Sequence, residues 1–351
     1  MTSATAEVSR GSRVVTLRVA AVIEETADAR SLVFDVPADA ADRFAYRPGQ
    51  FLTLRIPSDR TAPVARCYSL ASSPLTGEPP RVTIKRTADG YGSNWLCDNV
   101  SAGDTIDVLP PLGTFTPASL DTDLLLWAGG SGITPVMSIL RSALAGGTGR
   151  VVLFYANRGA DSVIFADALR ELAEQYPDRL QVTHWLESLQ GLPSTARLAA
   201  FAAPYASFES FVCGPAPFMA AVTEALAGAG WPRERVTTEV FVSLTGDPFA
   251  EPEPLDPAED ADAAEVEVEL DGEVHALRWP RSRTLVDVML SDGLDVPYSC
   301  REGECGSCAC TVLDGEVAMD STGVLDQDGI DAGYTLACQA RPRTDSVRIR
   351  F

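Results

Sequence analysis

Asp123-Leu124-Leu125-Leu126-Trp127-Ala128-Gly129-Gly130-Ser131-Gly132-Ile133-Thr134-Pro135 (DLLLWAGGSGITP) is where the character of the chain changes. Residues 123–128 form a short apolar run with little polar alternation, the pattern of a strand buried in a parallel sheet. Glycines follow, and Pro135 suits a first helical position. A helix over 135–144 and a second buried strand over 151–156 come next. Helix 163–175, strand 180–186, helix 195–202, strand 208–212, helix 216–228 and strand 236–241 continue the series. This alternation predicts an α/β doubly wound sheet.

Upstream, residues 13–117 read as β. Apolar-rich segments of strand length recur at 14–23, 31–36, 51–56, 65–71, 81–86 and 105–108, punctuated by Pro and Gly, as in an antiparallel barrel or sandwich. Downstream, residues 245–264 interleave acidic residues with Pro248, Pro252, Pro254 and Pro257 and contain no basic residue. That composition predicts an extended tether. Residues 265–351 open with two alternating runs around Asp271-Gly272, a hairpin signal. The chain therefore divides into a β-barrel (13–117), an α/β domain (118–244), an acidic Pro-rich linker (245–264) and a small C-terminal domain (265–351).

The 351 residues carry a net charge of −21. That excludes the basic footprint of a nucleic-acid binder and disfavours an anionic membrane surface. The acid is uneven: residues 245–351 hold −16 of it. No apolar run reaches the ~20 residues that span a bilayer, and the polar N-terminus has no secretory h-region. A cytoplasmic protein is expected.

Five of the eight cysteines fall in the last 52 residues. Without an export signal, such a cluster reads as metal or redox chemistry rather than a disulfide framework. Cys300, Cys305 and Cys308 are spaced C-x4-C-x2-C, and Cys338 follows 30 residues later, the plant-type [2Fe–2S] spacing. Gly303 and Gly306 would let the backbone approach the sulfurs. A zinc site is the competing reading, but zinc ligands usually come in close pairs and Cys338 stands alone. Cys310 fits no ligand slot and reads as a buried thiol. With Ser299, the Gly-Glu-Cys-Gly turn and Leu336-Ala337-Cys338-Gln339, residues 265–351 resemble plant-type ferredoxin, which implies a β-grasp-like fold.

Arg66-Cys67-Tyr68-Ser69 lies on a β segment, with Arg66 and Tyr68 on one face. Gly90-Tyr91-Gly92-Ser93 is a Gly-rich turn before a short helix, whose N–H groups and dipole suit phosphate. Together the two resemble the FAD-binding barrel of the ferredoxin–NADP reductase family. The resemblance implies that Arg66 pairs with a flavin phosphate and Tyr68 lies along the isoalloxazine or ribityl. It also implies that Ser69 hydrogen-bonds flavin N5, that Gly90, Gly92 and Ser93 take the pyrophosphate, and that Lys85 and Arg86 support the phosphates.

By itself, Gly129-Gly130-Ser131-Gly132-Ile133-Thr134-Pro135 would equally be an ordinary strand–helix turn. Cys213-Gly214-Pro215 with Met219 follows another strand, at the carboxyl edge where α/β sheets bind ligands. The pair resembles the nicotinamide domain of the same family. The resemblance implies that Gly129, Gly130, Gly132 and Thr134 bind the dinucleotide with Gly214 and Pro215, and that Cys213 lies beside the nicotinamide. Thr238-Glu239-Val240-Phe241 resembles the family's domain end, with Phe241 covering the flavin and Glu239 a nearby carboxylate. Asn157, Arg158 and Ser162 lie where the adenosine 2′ position is read, and they suit NADH or NADPH. His184 and His275 are near no motif.

The order FAD barrel, nicotinamide domain, ferredoxin covers nearly the whole chain and is similar to the reductase components of bacterial oxygenases. RCYSL, VTIKRTADGY, SGITP, YANR, HWLESLQGLPS, SCREGECG and LACQARP place the similarity nearest those serving ketosteroid 9α-hydroxylation. Reductases of phenylacetyl-CoA epoxidation or aromatic-ring hydroxylation are the alternatives within the class. A non-enzymatic electron carrier and a zinc-stabilised binding protein are the alternatives outside it. The resemblance implies hydride transfer from NADH, less readily NADPH, to FAD, and single electrons passed through [2Fe–2S] to a terminal oxygenase of Rieske type. The acidic C-terminal surface, including Glu302 and Glu304, is expected to dock that partner, with the reductase itself a monomer.

Overall fold

The computed structural model describes residues 13–58, 63–251 and 262–351. Two compact units are formed, one from residues 16–57 and 66–243, the other from the described residues 13–15, 58, 63–65, 244–251 and 262–351. No helix among the described residues is long and apolar enough to cross a membrane.

The larger unit begins with β1 (Val15–Thr26), β2 (Ala29–Asp35), β3 (Phe51–Ile56), β4 (Val64–Ser69), β5 (Arg81–Lys85) and β6 (Thr105–Leu112), with α1 (Tyr91–Asn99) between the last two. The sheet order is β4-β3-β6-β1-β2-β5, and a bridge from Leu70 to Val82 brings its two edges together. Closing a sheet in this way removes its exposed edges. Leu17, Val19, Leu32, Phe34, Leu52, Leu54, Val82 and Ile84 are buried in it.

The same unit continues with β7 (Leu124–Gly129), α2 (Ile133–Gly146), β8 (Val151–Asn157), α3 (Ala166–Gln175), β9 (Leu180–Leu186) and the single turn α4 (Glu187–Gln190). It ends with α5 (Thr195–Ala202), β10 (Glu209–Cys213), α6 (Ala216–Gly228) and β11 (Val236–Glu239). The strands pair in parallel in the order β11-β10-β7-β8-β9. β7 is apolar on both faces because both are covered. Leu124, Leu126 and Ala128 pack with Val136 and Leu140 of α2, whereas Leu125 and Trp127 pack with Leu198 of α5 and Val222 of α6. Trp127 keeps its polar edge by donating its indole N–H to Ser210 Oγ at 3.0 Å. The order reverses between β7 and β10, the switch point at which open α/β sheets bind ligands. Ser138 Oγ donates to Ser72 O at 2.6 Å, and Arg141 meets Glu78 at 3.1 Å, joining α2 to the barrel.

The smaller unit contains β12 (Ala264–Leu270), β13 (Glu273–Trp279), α7 (Leu285–Ser291), β14 (Ala309–Asp314) and β15 (Val317–Met319). α8 (Gln327–Asp331), β16 (Tyr334–Leu336), β17 (Ala340–Pro342) and β18 (Ser346–Arg350) complete it. Its mixed sheet runs β13-β12-β18-β14-β16, with β12 and β18 parallel. The Asp271-Gly272 hairpin turns through two left-handed residues, at φ 51° and 82°, the geometry a two-residue turn demands.

Two expectations are corrected. β11 stops at Glu239 rather than 241, leaving Phe241 49% exposed beyond it. The stretch read as a tether over 245–264 is also not uniform. Phe249 is buried, and Thr245 N and Oγ1 both donate to Glu302 Oε1 at 2.8 Å. Arg301 donates to Ala250 O at 2.8 Å, and Ala264 already opens β12. Phe249 supplies the apolar anchor, and Glu302 turns the acidic character into a docking contact. Residues 252–261 of the tether lie outside the described residues.

Candidate functional sites

Arg66, Tyr68 and Ser69 stand on β4, and the Gly-rich turn opens α1 beside them. A Cβ on Gly92 would lie 3.0 Å from Arg66 Cγ and 2.8 Å from Ile56 Cδ1, and one on Gly90 would strike Thr87 Oγ1 at 2.0 Å. A larger residue at either position would need these side chains to move, because the helix start is pressed against β3, β4 and the loop after β5. Ser93 Oγ meets Thr87 Oγ1 at 2.9 Å, which fixes the turn. The first-turn N–H groups have no intrahelical acceptor, and Arg66 sits alongside, so the cradle fits a flavin nucleotide's phosphates. Burial pushes the Tyr68 phenol up, with the neighbouring Arg66 charge opposing. Ser69 is buried.

A cleft of about 670 Å³ runs along the carboxyl edge of the parallel sheet. Gly129, Gly130 and Ser131 from the end of β7, Asn157 and Arg158 from the end of β8, and Pro215 after β10 line it. Lys85 and Arg86 line it too. Lys85 pairs with Asp28 at 3.5 Å and Arg86 with Asp98 at 2.6 Å. Gly132 and Gly214 are not among the lining residues, yet they make its floor possible. A Cβ on Gly132 would fall 2.2 Å from Cys213 O, and one on Gly214 3.0 Å from Gly129 Cα. Thr134 is buried, and its hydroxyl donates to Ser131 O at 3.1 Å, so it braces the turn. Asn157 is buried beside the Tyr155 phenol, whose hydroxyl donates to Gly130 O at 3.1 Å. The cleft fits a dinucleotide.

Cys213 and Glu239 are register partners on adjacent strands. Burial, reinforced by the Glu239 charge, pushes the Cys213 thiol well up, and burial lifts the Glu239 carboxyl to about 7.

In the smaller unit, Cys300 lies within hydrogen-bond reach of Cys305 and Cys338, and Cys308 of Cys338. These contacts, with the Glu302 N–H at 3.4 Å from Cys300 Sγ, pull the Cys300 thiol down, while Cys305 and Cys338 are pushed up. Gly303 and Gly306 adopt φ of 82° and 67°, which L-residues avoid. Gln339 donates to Arg301 O at 3.0 Å and ties the fourth cysteine to the loop. The Ser299 hydroxyl is buried without a partner. Cys300 and Cys338 each meet two of the other sulfurs, so these contacts link all four. Four such sulfurs with a spare buried hydroxyl fit a two-iron cluster. Cys310 is buried, and burial pushes its thiol up.

The sequence reading quoted the segment HWLESLQGLPS but gave no role to its Trp185, Glu187 and Leu192, which also line the cleft. It also placed Glu302 with Glu304 on the expected docking surface, whereas only Glu304 of the pair is exposed.

Residues 16–116 match an oxidoreductase FAD-binding domain, 126–224 an oxidoreductase NAD-binding domain, and 268–343 a 2Fe-2S iron-sulfur cluster binding domain. The 3-ketosteroid-9-alpha-monooxygenase ferredoxin reductase component of Rhodococcus rhodochrous is 66% identical, over 99% of either chain. A component of the 1,2-phenylacetyl-CoA epoxidase of Escherichia coli is 33% identical, over 95% of this chain and 97% of its own. The solved structure of phthalate dioxygenase reductase superposes with a TM-score of 0.58 at 23% identity, over 96% of this chain and 98% of its own, which shows the shared fold. The chain belongs to the family of oxygenase reductases with FAD-binding, NAD-binding and 2Fe-2S domains that includes the ferredoxin reductase components of 3-ketosteroid-9-alpha-monooxygenase.

Proposed function

We propose that this protein is the NADH-dependent reductase of a ketosteroid 9α-hydroxylating system, delivering single electrons to a terminal oxygenase. One observation carries the choice over phenylacetyl-CoA epoxidation: 66% identity along the whole chain to a reductase of the first kind, against 33% to a component of the second. The bound FAD and [2Fe–2S] would supply the conversion of one hydride into single electrons.

The chain's own residues position and insulate. Arg66, Gly90, Gly92 and Ser93 hold the flavin phosphates, Tyr68 flanks the ring system, and Ser69 presents its hydroxyl to the reacting edge. Gly129, Gly130, Gly132 and Thr134 shape the dinucleotide turn, Lys85, Asn157 and Arg158 line the path to the adenosine, and Gly214 and Pro215 close the other wall. Cys213 and Glu239 flank the nicotinamide, with Phe241 as the covering ring. Glu239, near 7, holds or releases a proton within the working range. Cys300, Cys305, Cys308 and Cys338 bind the cluster.

The partner docks on the acidic smaller unit, where Glu304 is exposed, and the reductase acts as a monomer. Purified with each candidate oxygenase, it should support ketosteroid 9α-hydroxylation at least tenfold faster than phenylacetyl-CoA epoxidation. The reverse order would overturn the assignment. Hydroxylation should slow as salt rises, since charge steers docking.

A further inference from the structure

We propose that a buried seam of four serines, Ser72 and Ser73 after β4 and Ser138 and Ser142 on α2, sets how the nicotinamide lies against the flavin. The proposal rests on the reading that β4 holds the flavin and the cleft takes NADH, and it assigns the alignment of the two to residues that contact neither. All four serines are 0% exposed, so no ligand atom reaches them.

A hydroxyl carries one proton, so the direction of each bond follows. Ser142 Oγ donates to Ser138 O, one turn back in its own helix, at 2.7 Å. Ser73 is then the donor in its 2.8 Å contact with Ser142 Oγ. Ser138 Oγ donates to Ser72 O at 2.6 Å. Ser72 Oγ accepts from Arg81 N at 3.0 Å and meets the Tyr46 hydroxyl at 2.7 Å. Ser73 Oγ accepts from Leu75 N at 3.1 Å. Every hydroxyl of the seam is bonded, and the Ser138–Ser72 and Ser73–Ser142 links cross from the barrel to α2.

Buried packing alone would not choose serine here, since its hydroxyl competes with the helix backbone and alanine is the better helix former. Ile133, Val136, Met137, Ile139 and Leu140 fill most of the helix's buried surface with apolar atoms. Ser138, Ser142 and Gly146 recur every four residues and form one stripe along it. A Cβ on Gly146 would lie 2.5 Å from Leu75 Cδ1, so the stripe lies against residues 72–75 along its length. Two hydroxyl links at different heights hold it against both sliding and rotation. Glu78 closes the edge of the seam, pairing with Arg81 at 3.4 Å and Arg141 at 3.1 Å and accepting from Ser73 N at 2.8 Å.

The seam is close to both halves of the reaction. Ser69 is three residues from Ser72, at most roughly 10 Å along the chain. Thr134 is four residues from Ser138, about 6 Å or one helical turn. A shift of α2 at the seam therefore reaches the flavin strand and the dinucleotide turn as a change in their separation. A misplacement of about 1 Å at a reacting centre costs on the order of 100-fold in rate. The serines are positioning residues: removing the Ser138 hydroxyl leaves Ser72 O unpaired in a closely packed interface, and α2 settles elsewhere.

The wild-type holoenzyme, Ser138→Ala and Ser142→Ala are reduced anaerobically with NADH by rapid mixing, with FAD content recorded for each. In Ser138→Ala the limiting rate of flavin reduction should fall about tenfold, and the isotope effect with NADH deuterated at the transferred position should grow. Ser142→Ala keeps the Ser138 link and should lose about fivefold. The dissociation constant of ADP-ribose, read by calorimetry with no chemistry involved, should stay within twofold of wild type in both, because the cleft keeps its shape. A limiting rate within twofold of wild type in Ser138→Ala with its FAD bound would overturn the proposal. So would a weakening of ADP-ribose binding that matches the loss of rate, the mark of a general distortion. If Ser138→Ala loses its FAD or does not fold, Ser142→Ala decides by the same two criteria. ADP-ribose that does not bind the wild type would instead remove the nucleotide reading itself, a different failure from a variant that binds it normally and reacts at the wild-type rate.

Discussion

The dinucleotide cleft and the sulfur loop both serve redox groups, but they are made from different parts. The cleft is mostly backbone: glycines at 129, 130, 132 and 214 let two strand ends approach until a single Cβ would collide with Cys213 O. The loop is mostly side chain: four thiols brought within reach of one another by two left-handed glycines and a Gln339 brace. Backbone sites tolerate no added atom; side-chain sites tolerate no lost one.

Substitutions can break that contrast, and the largest effect should come from removing a sulfur. Cys338→Ala should abolish the visible absorption of the cluster and electron delivery to the oxygenase. Retention of more than a tenth of either would undo the ligand assignment. Adding one methyl to the backbone site should be nearly as severe. Gly132→Ala places a Cβ 2.2 Å from Cys213 O, so kcat/KM for NADH should fall at least ~100-fold, the scale of a small misplacement at a reacting centre. A fall under threefold would mean that the turn yields. Arg66→Ala should raise the dissociation constant of FAD about tenfold or more, read by flavin release on dilution, because a charged hydrogen bond contributes roughly 1.5–3 kcal/mol.

Glu239→Gln sharpens the comparison by charge rather than size. Burial raises the Glu239 carboxyl to about 7, so the folded state favours the protonated form. Its contribution to stability is complete below the ordinary carboxylate pKa near 4.5 and is lost as pH rises through 7. The variant should flatten stability between those limits, by about 3 kcal/mol at most, and remove the inflection near pH 7 from flavin reduction. An unchanged profile would take Glu239 out of the site. Glu302→Ala should have the smallest effect. It frees Thr245 and costs about 1 kcal/mol of stability, detectable as a lower unfolding midpoint of the full chain.

Much of this was legible because the chemistry needs particular residues at particular intervals. C-x4-C-x2-C is a side-chain pattern that survives reading in one dimension. The apolar run 123–128 announced a strand covered on both faces, and the structure gives it a helix layer on either side. The place of Glu187 was hidden because it depends on which strands are neighbours. Nothing in Trp185-Leu186-Glu187 says that it emerges beside Arg158 until the parallel register is known. Glu302 was misread for a related reason. A carboxylate in an acidic stretch looks solvated, and only the fold shows Thr245 donating to it twice. The acidic, Pro-containing composition of 245–264 likewise concealed Phe249, one buried apolar residue that anchors the segment.

The central claim is that one chain takes an electron pair, as a hydride, from the nucleotide in the cleft and releases electrons singly from the four-cysteine loop. Anaerobic titration of the holoenzyme with NADH, followed by flavin bleaching and by the electron paramagnetic signal of the reduced cluster, tests it most directly. Full reduction should require about 1.5 equivalents of NADH, two electrons for the flavin and one for the cluster. An endpoint at one equivalent with the cluster still oxidised would contradict the account.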